Sequence, residues 1–173
     1  MKCISDQPTD GIESVIKEYS NMLFRICLVM LCSEHDAEDA LQEIFIRYMS
    51  KAPIFNDKEH QKAWLIRVAS NICKDMKRFS LRHNHINIDE LSDYYSSDAN
   101  ADILEAVLVL PQKYKLVILL HYVDGYDVES ISKIAEISVS AVKKRLQRGR
   151  EMLKLEYRKE SLYNESKPVK RYS

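Results

Sequence analysis

Cationic and amide side chains recur at helical spacing toward the C-terminal end of this chain, and their chemistry is that of reading a nucleic acid. Between Ser138 and Glu160 there are 8 Lys/Arg against 3 Asp/Glu, a local excess of five positive charges. Ser140, Lys143, Lys144, Gln147 and Arg148 fall on the outward side of a segment whose inward positions are Val142, Leu146 and Leu153, and Arg145 and Arg150 flank them. Lys and Arg neutralise phosphates and so position a protein on a duplex, whereas Arg, Lys and Gln near a helix N-terminus can pair with base edges in the major groove. A second basic set, Lys62, Arg67, Asn71, Lys74, Lys77 and Arg78, with Ser70 among them, lies away from the apolar side of residues 61–79 and suits a nucleic-acid backbone and its bases. A third set has the opposite sign. Asp39, Gln42 and Glu43 form a polar stripe that Ile46 and Arg47 continue, and an acidic face with an exposed Ile suits docking on a basic protein surface. The plain alternative for any of the three is a solvated helix face.

These sets need helices to present them, and the apolar residues supply the helical period. Ile12, Val15, Ile16, Tyr19, Met22, Leu23, Ile26 and Met30 recur at three- and four-residue spacing, which predicts an amphipathic helix from Ile12 to Leu31. Ser33 and Asp36 make a partial capping box for a second helix whose apolar stripe is Ala37, Ala40, Leu41, Ile44, Phe45, Tyr48 and Met49, with Pro53 beyond its end. A third helix is expected from Gln61 to Phe79, with Trp64, Leu65, Val68, Ala69, Ile72 and Met76 inward; Trp64 belongs to that core stripe rather than to a base-stacking platform. Residues 81–101 mix His, Asn, Asp, Ser and Tyr without a sustained period and read as a linker.

In the second half, Asp127 can cap a short helix whose inner face is Val128, Ile131, Ile134 and Ala135. A turn at Glu136, Ile137 and Ser138 follows, and Ser138 can cap the next helix. Short helix, tight turn and second helix make a helix-turn-helix. Its turn lacks the usual Gly, so Glu136 or Ile137 must take the left-handed conformation. Gly149 lies inside the second helix, where it costs about 1 kcal/mol relative to Ala. The expected architecture is all-α, with two small helical domains (11–80 and 102–160), the linker between them, and a polar tail, 161–173.

Composition narrows the classes. The 173 residues carry 26 Lys+Arg and 26 Asp+Glu, so the chain is not expected to coat nucleic acid unaided; a neutral total still permits basic and acidic faces on different elements. No apolar run approaches the roughly 20 residues of a membrane span. Residues 1–10 are polar and lack a signal-peptide core, so a cytoplasmic location without membrane insertion is expected. Cys3, Cys27, Cys32 and Cys73 show no metal-ligand spacing; Cys27 and Cys73 read as small core residues, and no metal or cofactor is expected. His121 falls in an amphipathic segment and His83 and His85 in the linker, without the partners a general base needs, so no catalytic residues are expected.

Three blocks, in order, resemble a known family. Residues 36–47 (DAEDALQEIFIR) resemble the pattern A-E-D-L-V-Q-E-V-F; residues 63–75 (AWLIRVASNICKD) resemble A-W-L-Y-R-I-A-R-N-x-x-x-D; residues 110–125 (LPQKYKLVILLHYVDG) resemble L-P-x-x-x-R-x-V-x-x-L-x-x-x-x-G. All belong to the extracytoplasmic-function (ECF) sigma factors, bacterial subunits that lend promoter specificity to RNA polymerase and catalyse nothing themselves. The resemblance spans about Glu13 to Lys154. It implies that Asp39, Gln42, Glu43 and Ile46 belong to the helix that grips the clamp coiled coil of core RNA polymerase. It implies that the third helix and the loop before it, about 51–60 with Asn56, melt and read the minus-ten element of promoter DNA. The C-terminal domain would then read the minus-thirty-five element through Ser140 to Arg148 and touch the polymerase flap, and an anti-sigma factor, often membrane-bound, would hold the protein inactive. Lys115 stands where the family usually has Arg, Glu136 where it has Gly, and Ala141 where Thr is common. Two other classes remain open on the residues alone. A stand-alone helix-turn-helix regulator would bind an operator without polymerase, and an all-α adaptor or anti-factor would account for the acidic stripe but not for the basic helix.

Overall fold

The computed structural model describes residues 10–79 and 101–165, which form seven helices and, among those residues, no strand. They are α1 (Asp10–Leu31), α2 (Glu34–Lys51), α3 (Lys58–Phe79), α4 (Ala101–Leu108), α5 (Gln112–Tyr122), α6 (Val128–Ala135) and α7 (Val139–Glu165). The expected linker, most of the expected tail, Cys3, His83 and His85 lie outside the described residues.

Local chemistry sets most helix ends. Ser33 caps α2 by accepting the Asp36 amide at 3.2 Å, and α2 stops at Ala52, just before Pro53, where a preceding residue is driven out of the helical region. Helix α3 begins three residues earlier than its apolar period indicates. Asp57 is the reason: its carboxylate accepts the His60 amide at 2.6 Å and its carbonyl the Gln61 amide at 3.1 Å, adding a polar turn ahead of the apolar stripe. Helix α7 runs to Glu165, past the expected start of a frayed tail; after Gly149 its residues include neither Gly nor Pro.

Helices α1, α2 and α3 pack mutually, and α5, α6 and α7 do the same, with α4 against α5. Helix α1 also packs against α4 and α5, and α3 against α6. The buried apolar residues therefore form one continuous cluster rather than two separate cores. The consequence is plain in α1: Ile26, Cys27, Leu28, Val29, Met30, Leu31 and Cys32 are all buried, because the second half of the chain covers the side that the first half leaves bare. A helix buried all round has no amphipathic period to read, and α5 repeats this from Tyr114 to Leu120. Ile16 and Met49, expected in the core stripes, are exposed.

Polar groups tie the two halves along this seam. The Arg25 guanidinium meets the Asp124 carboxylate at 2.8 Å. Lys115, only 2% exposed, donates its ammonium to the Val29 carbonyl at 2.9 Å and to Cys32 Sγ at 2.8 Å. Val29 lies in the last turn of α1, where carbonyls lack intrahelical partners and a cation faces the negative end of the dipole. Cys32 closes that turn in the left-handed region (φ 56), its amide bonded to Leu28. Cys27 and Cys73 are buried core residues, and the neighbouring Cys27, with burial, pushes the Cys73 thiol well up.

Candidate functional site: an acidic helix face and two basic ones

The helix-turn-helix is built by its caps. Asp127 accepts the Ser130 amide at 2.6 Å at the start of α6, an interaction that holds its carboxyl below the usual range. Glu136 ends α6 in the left-handed region (φ 56, ψ 45), filling the role the sequence left to Glu136 or Ile137. Ser132 Oγ donates to the Ile137 carbonyl at 2.6 Å and fastens the turn. Ser138 accepts the Ala141 amide at 3.2 Å and starts α7. With Val142 and Leu146 buried against α5 and α6, Ser140, Lys143, Lys144, Gln147 and Arg148 are exposed along the N-terminal half of α7 and Arg145 is half-buried. Gln147 is steadied by Glu151 at 3.0 Å. Gly149 is buried where α7 crosses α5: a Cβ there would lie 2.9 Å from Ile118 Cγ1 and Cδ1, so the missing side chain permits the approach that fixes α7.

On α2, Ala37, Ala40, Ile44 and Phe45 face inward, leaving Asp39, Gln42 and Ile46 exposed and Glu43 half-exposed. Glu43 pairs with Arg47 at 2.8 Å and Asp39 approaches His35 at 3.7 Å, both one turn along the helix. Met49 and Ile54, 61% and 89% exposed, are further large apolar side chains at the surface; sequence reasoning missed Met49 because it fits the core period.

On α3, Lys74 and Arg78 are exposed, and Lys62, Arg67, Asn71 and Lys77 half-buried. Ser70 is corrected: it is 1% exposed, with its hydroxyl unpartnered, on the inner side of α3. Lys62 and Arg67 are only partly solvated, and each has a partner within the chain. Lys62 lies over the Tyr126 ring, 5.0 Å from its centroid, and Arg67 donates to the Lys133 carbonyl at 2.9 Å and meets Glu136 at 3.6 Å. Partial desolvation lowers the Lys74 amine's pKa, and Arg145 lowers it further, with Glu136 opposing.

The loop 52–57 is held by rings that no period announces. Phe55 stacks on Tyr48 with centroids 6.0 Å apart and meets Trp64 edge-on at 5.8 Å and His60 at 5.5 Å. The Tyr48 hydroxyl accepts from Gln61 at 2.7 Å. Asn56, beside this cluster, is exposed, its amide directed at His60 Nδ1 at 3.4 Å. Trp64 is thus a half-buried packing residue, as its place in the stripe implies.

Among the described residues no helix is long and apolar enough to cross a membrane. Comparison with known proteins identifies both halves. Residues 15–82 match the Sigma-70 region 2 family and residues 100–153 the Sigma-70, region 4 family. The chain is 29% identical over 177 residues to the ECF RNA polymerase sigma factor SigW of Bacillus subtilis, covering 91% of this chain and 95% of that protein. It is 30% identical over 155 residues to SigM of the same organism, covering 84% and 94%. Its fold is similar to that of the sigma factor RpoE of Bartonella quintana, solved with the anti-sigma factor NepR, with a TM-score of 0.66 and 20% identity over 84% of this chain and 95% of that one. The region 2 match spans α1 to α3 and the region 4 match spans α4 to the first half of α7, and the chain belongs to the ECF sigma factors, which direct RNA polymerase to promoters.

Proposed function

We propose that this sigma factor divides its work among three surfaces. The α2 face of Asp39, Gln42, Glu43 and Ile46 docks on the clamp coiled coil of core RNA polymerase. The α3 face (Lys62, Arg67, Asn71, Lys74, Lys77, Arg78), with Asn56 in the loop before it, opens and holds the minus-ten element. The α7 residues Ser140, Lys143, Lys144, Arg145, Gln147 and Arg148 read the minus-thirty-five element, with the same domain against the flap. The working units are 11–80 and 102–160. The observation that carries this reading is the doubly capped helix-turn-helix, whose packing turns five polar or basic side chains of one helix outward together.

The charge balance fits. A neutral chain gains little from phosphates alone. Held on polymerase, two weak DNA-reading surfaces act at high effective concentration and their affinities multiply, so the spacing of the two promoter elements becomes part of recognition. The protein contributes binding and positioning and no bond-making step. An anti-sigma factor is a further expected partner, as for the Bartonella RpoE. Transcription in vitro with purified core polymerase on a promoter library tests the assignment. Initiation is expected at templates sharing two elements at fixed separation; a chain that does not join core polymerase, or joins it without directing initiation, overturns it.

A further inference from the structure

Part of the α3 face assigned above to promoter DNA, at Lys62 and Arg67, is covered by the same chain, by Tyr126 and by α6 with its turn. Arg67 receives two oxygen atoms from α6 and its turn: the Lys133 carbonyl at 2.9 Å and the Glu136 carboxylate at 3.6 Å. The Lys133 carbonyl lies in the last turn of α6, where carbonyls face outward and carry the negative end of the helix dipole. One turn earlier on α3, Lys62 is covered by the Tyr126 ring. Glu136 also opposes the lowering of the Lys74 pKa to which Arg145 of α7 contributes, so its charge reaches a second basic residue of α3.

The residue that does this is out of place by its backbone. Glu136 adopts φ 56, a conformation that Gly takes at no steric cost and that Glu does not favour. A turn that needed only its shape would be better served by Gly. Strain kept at a position whose side chain faces a functional Arg marks that side chain as having a role of its own. The pair is also weak by construction. Arg67 and Glu136 are 39% and 58% exposed, so solvent and salt screen their attraction, and the Arg67 Nε hydrogen, buried, has no protein acceptor. A contact of this kind is exchangeable. One DNA phosphodiester matches the Glu136 carboxylate in charge and in free oxygens, and a strand adds further phosphates that reach the exposed Lys74 and Arg78 of the same helix at once.

We propose that Glu136 is an internal phosphate mimic: in the free chain it and the Lys133 carbonyl hold Arg67, so that single-stranded promoter DNA must displace the helix-turn-helix turn to reach α3. The surface is thus a docking site with two competing occupants, the chain's own turn and a polynucleotide backbone. The inference rests on assigning α3 to promoter contact. Its effect is to keep the free subunit off DNA until polymerase brings the strand to α3 at high local concentration.

The test uses the full chain and a fluorescent mixed-sequence single-stranded deoxyoligonucleotide. Glu136→Gln removes the charge, and Glu136→Gly removes the side chain while relieving the turn. Glu129→Gln, on the exposed side of α6, removes an equal charge away from Arg67. Both Glu136 variants are expected to bind the probe about two- to five-fold more tightly than wild type, the range of an exposed ion pair, and Glu129→Gln less than either. Probe binding to wild type is expected to speed amide hydrogen exchange over residues 128–137 as the turn is displaced. Equal affinities for the Glu129 and Glu136 variants, including no binding by any, overturn the proposal, as does unchanged or slower exchange at the turn. Failure of wild type to initiate with core polymerase would instead remove the assignment of α3, a separate result.

Discussion

Replacing Lys115 by Met probes the seam between the two halves at its most buried charge. Met matches the length of the lysine stem and carries neither charge nor donor. Two effects oppose each other. The Val29 carbonyl loses its ammonium donor and keeps only the weak Cys32 thiol at 3.5 Å; a buried carbonyl orphaned outright costs about 1–3 kcal/mol. Against that, the ammonium no longer has to be buried, and its desolvation is a real penalty: burial draws the Lys115 pKa below the ordinary lysine range, with Cys32 acting in the opposite sense. The net expectation at neutral pH is a loss of about 1 kcal/mol, the low end of the orphan-carbonyl range, since relief of desolvation offsets part of it. The pH dependence has a definite sign. Because the folded-state pKa is lowered, between that value and the ordinary one the unfolded chain holds more protons than the folded chain. Wild-type stability from this group therefore rises with pH across that window, and the Met variant lacks the rise. Urea unfolding followed by far-UV circular dichroism, on both chains from neutral pH up to the ordinary lysine range, should show the gap widening. A gap that narrows with rising pH, or a variant more stable throughout, would refute the account of Lys115 as a cap on α1.

Three further outcomes follow from the surfaces and the packing. Asp39→Ala combined with Gln42→Ala should weaken core-polymerase binding in a pull-down or by fluorescence anisotropy while leaving the unfolding curve in place, because both side chains are exposed; undiminished affinity would remove the α2 assignment. Lys143→Ala or Arg148→Ala should cost about 1–3 kcal/mol at one position of the upstream element if the side chain pairs with a base edge, whereas a uniform loss over all sequences would mark a phosphate contact. Gly149→Ala should destabilise despite the better helix propensity of Ala: a Cβ 2.9 Å from two Ile118 carbons overpacks the α5–α7 crossing by about 1–3 kcal/mol, set against about 1 kcal/mol of propensity. A stabilised Ala variant in thermal unfolding would show that Ile118 yields freely.

Much of this was legible in residue order because the signals are local. Ser33, Asp127 and Ser138 cap helices within three residues of themselves, and each does so in the structure. The outward set on α7 follows from Val142 and Leu146 turning inward one and two turns into the helix. What was missed depends on contacts between distant segments. The apolar run from Ile26 to Cys32 has a readable period only if one side of α1 is covered; with α4 and α5 on the other side, every residue is interior. Ser70 reads as an outward polar residue, yet it lies inside a packed helix face. Met49 fits a core stripe that ends before it reaches that turn. The ring cluster of Tyr48, Phe55, His60 and Trp64 joins a helix, a loop and a second helix, which no single period encodes. Asp57 was the one recoverable signal: an acid three residues before His60, positioned to begin a helix.

The interior placement of α1 bears on how the protein can be dissected. A fragment ending at Phe79 would bare to water the side of Leu28 to Cys32 that α4 and α5 now cover, and a fragment beginning at Ala101 would bare the matching strip of α5. Each piece would carry a sticky scar of its own making. Oligomerisation or loss of order in such pieces would then report the cut and not the parent, and grafting either piece onto a relative's other half demands that the recipient supply a mate of the same contour.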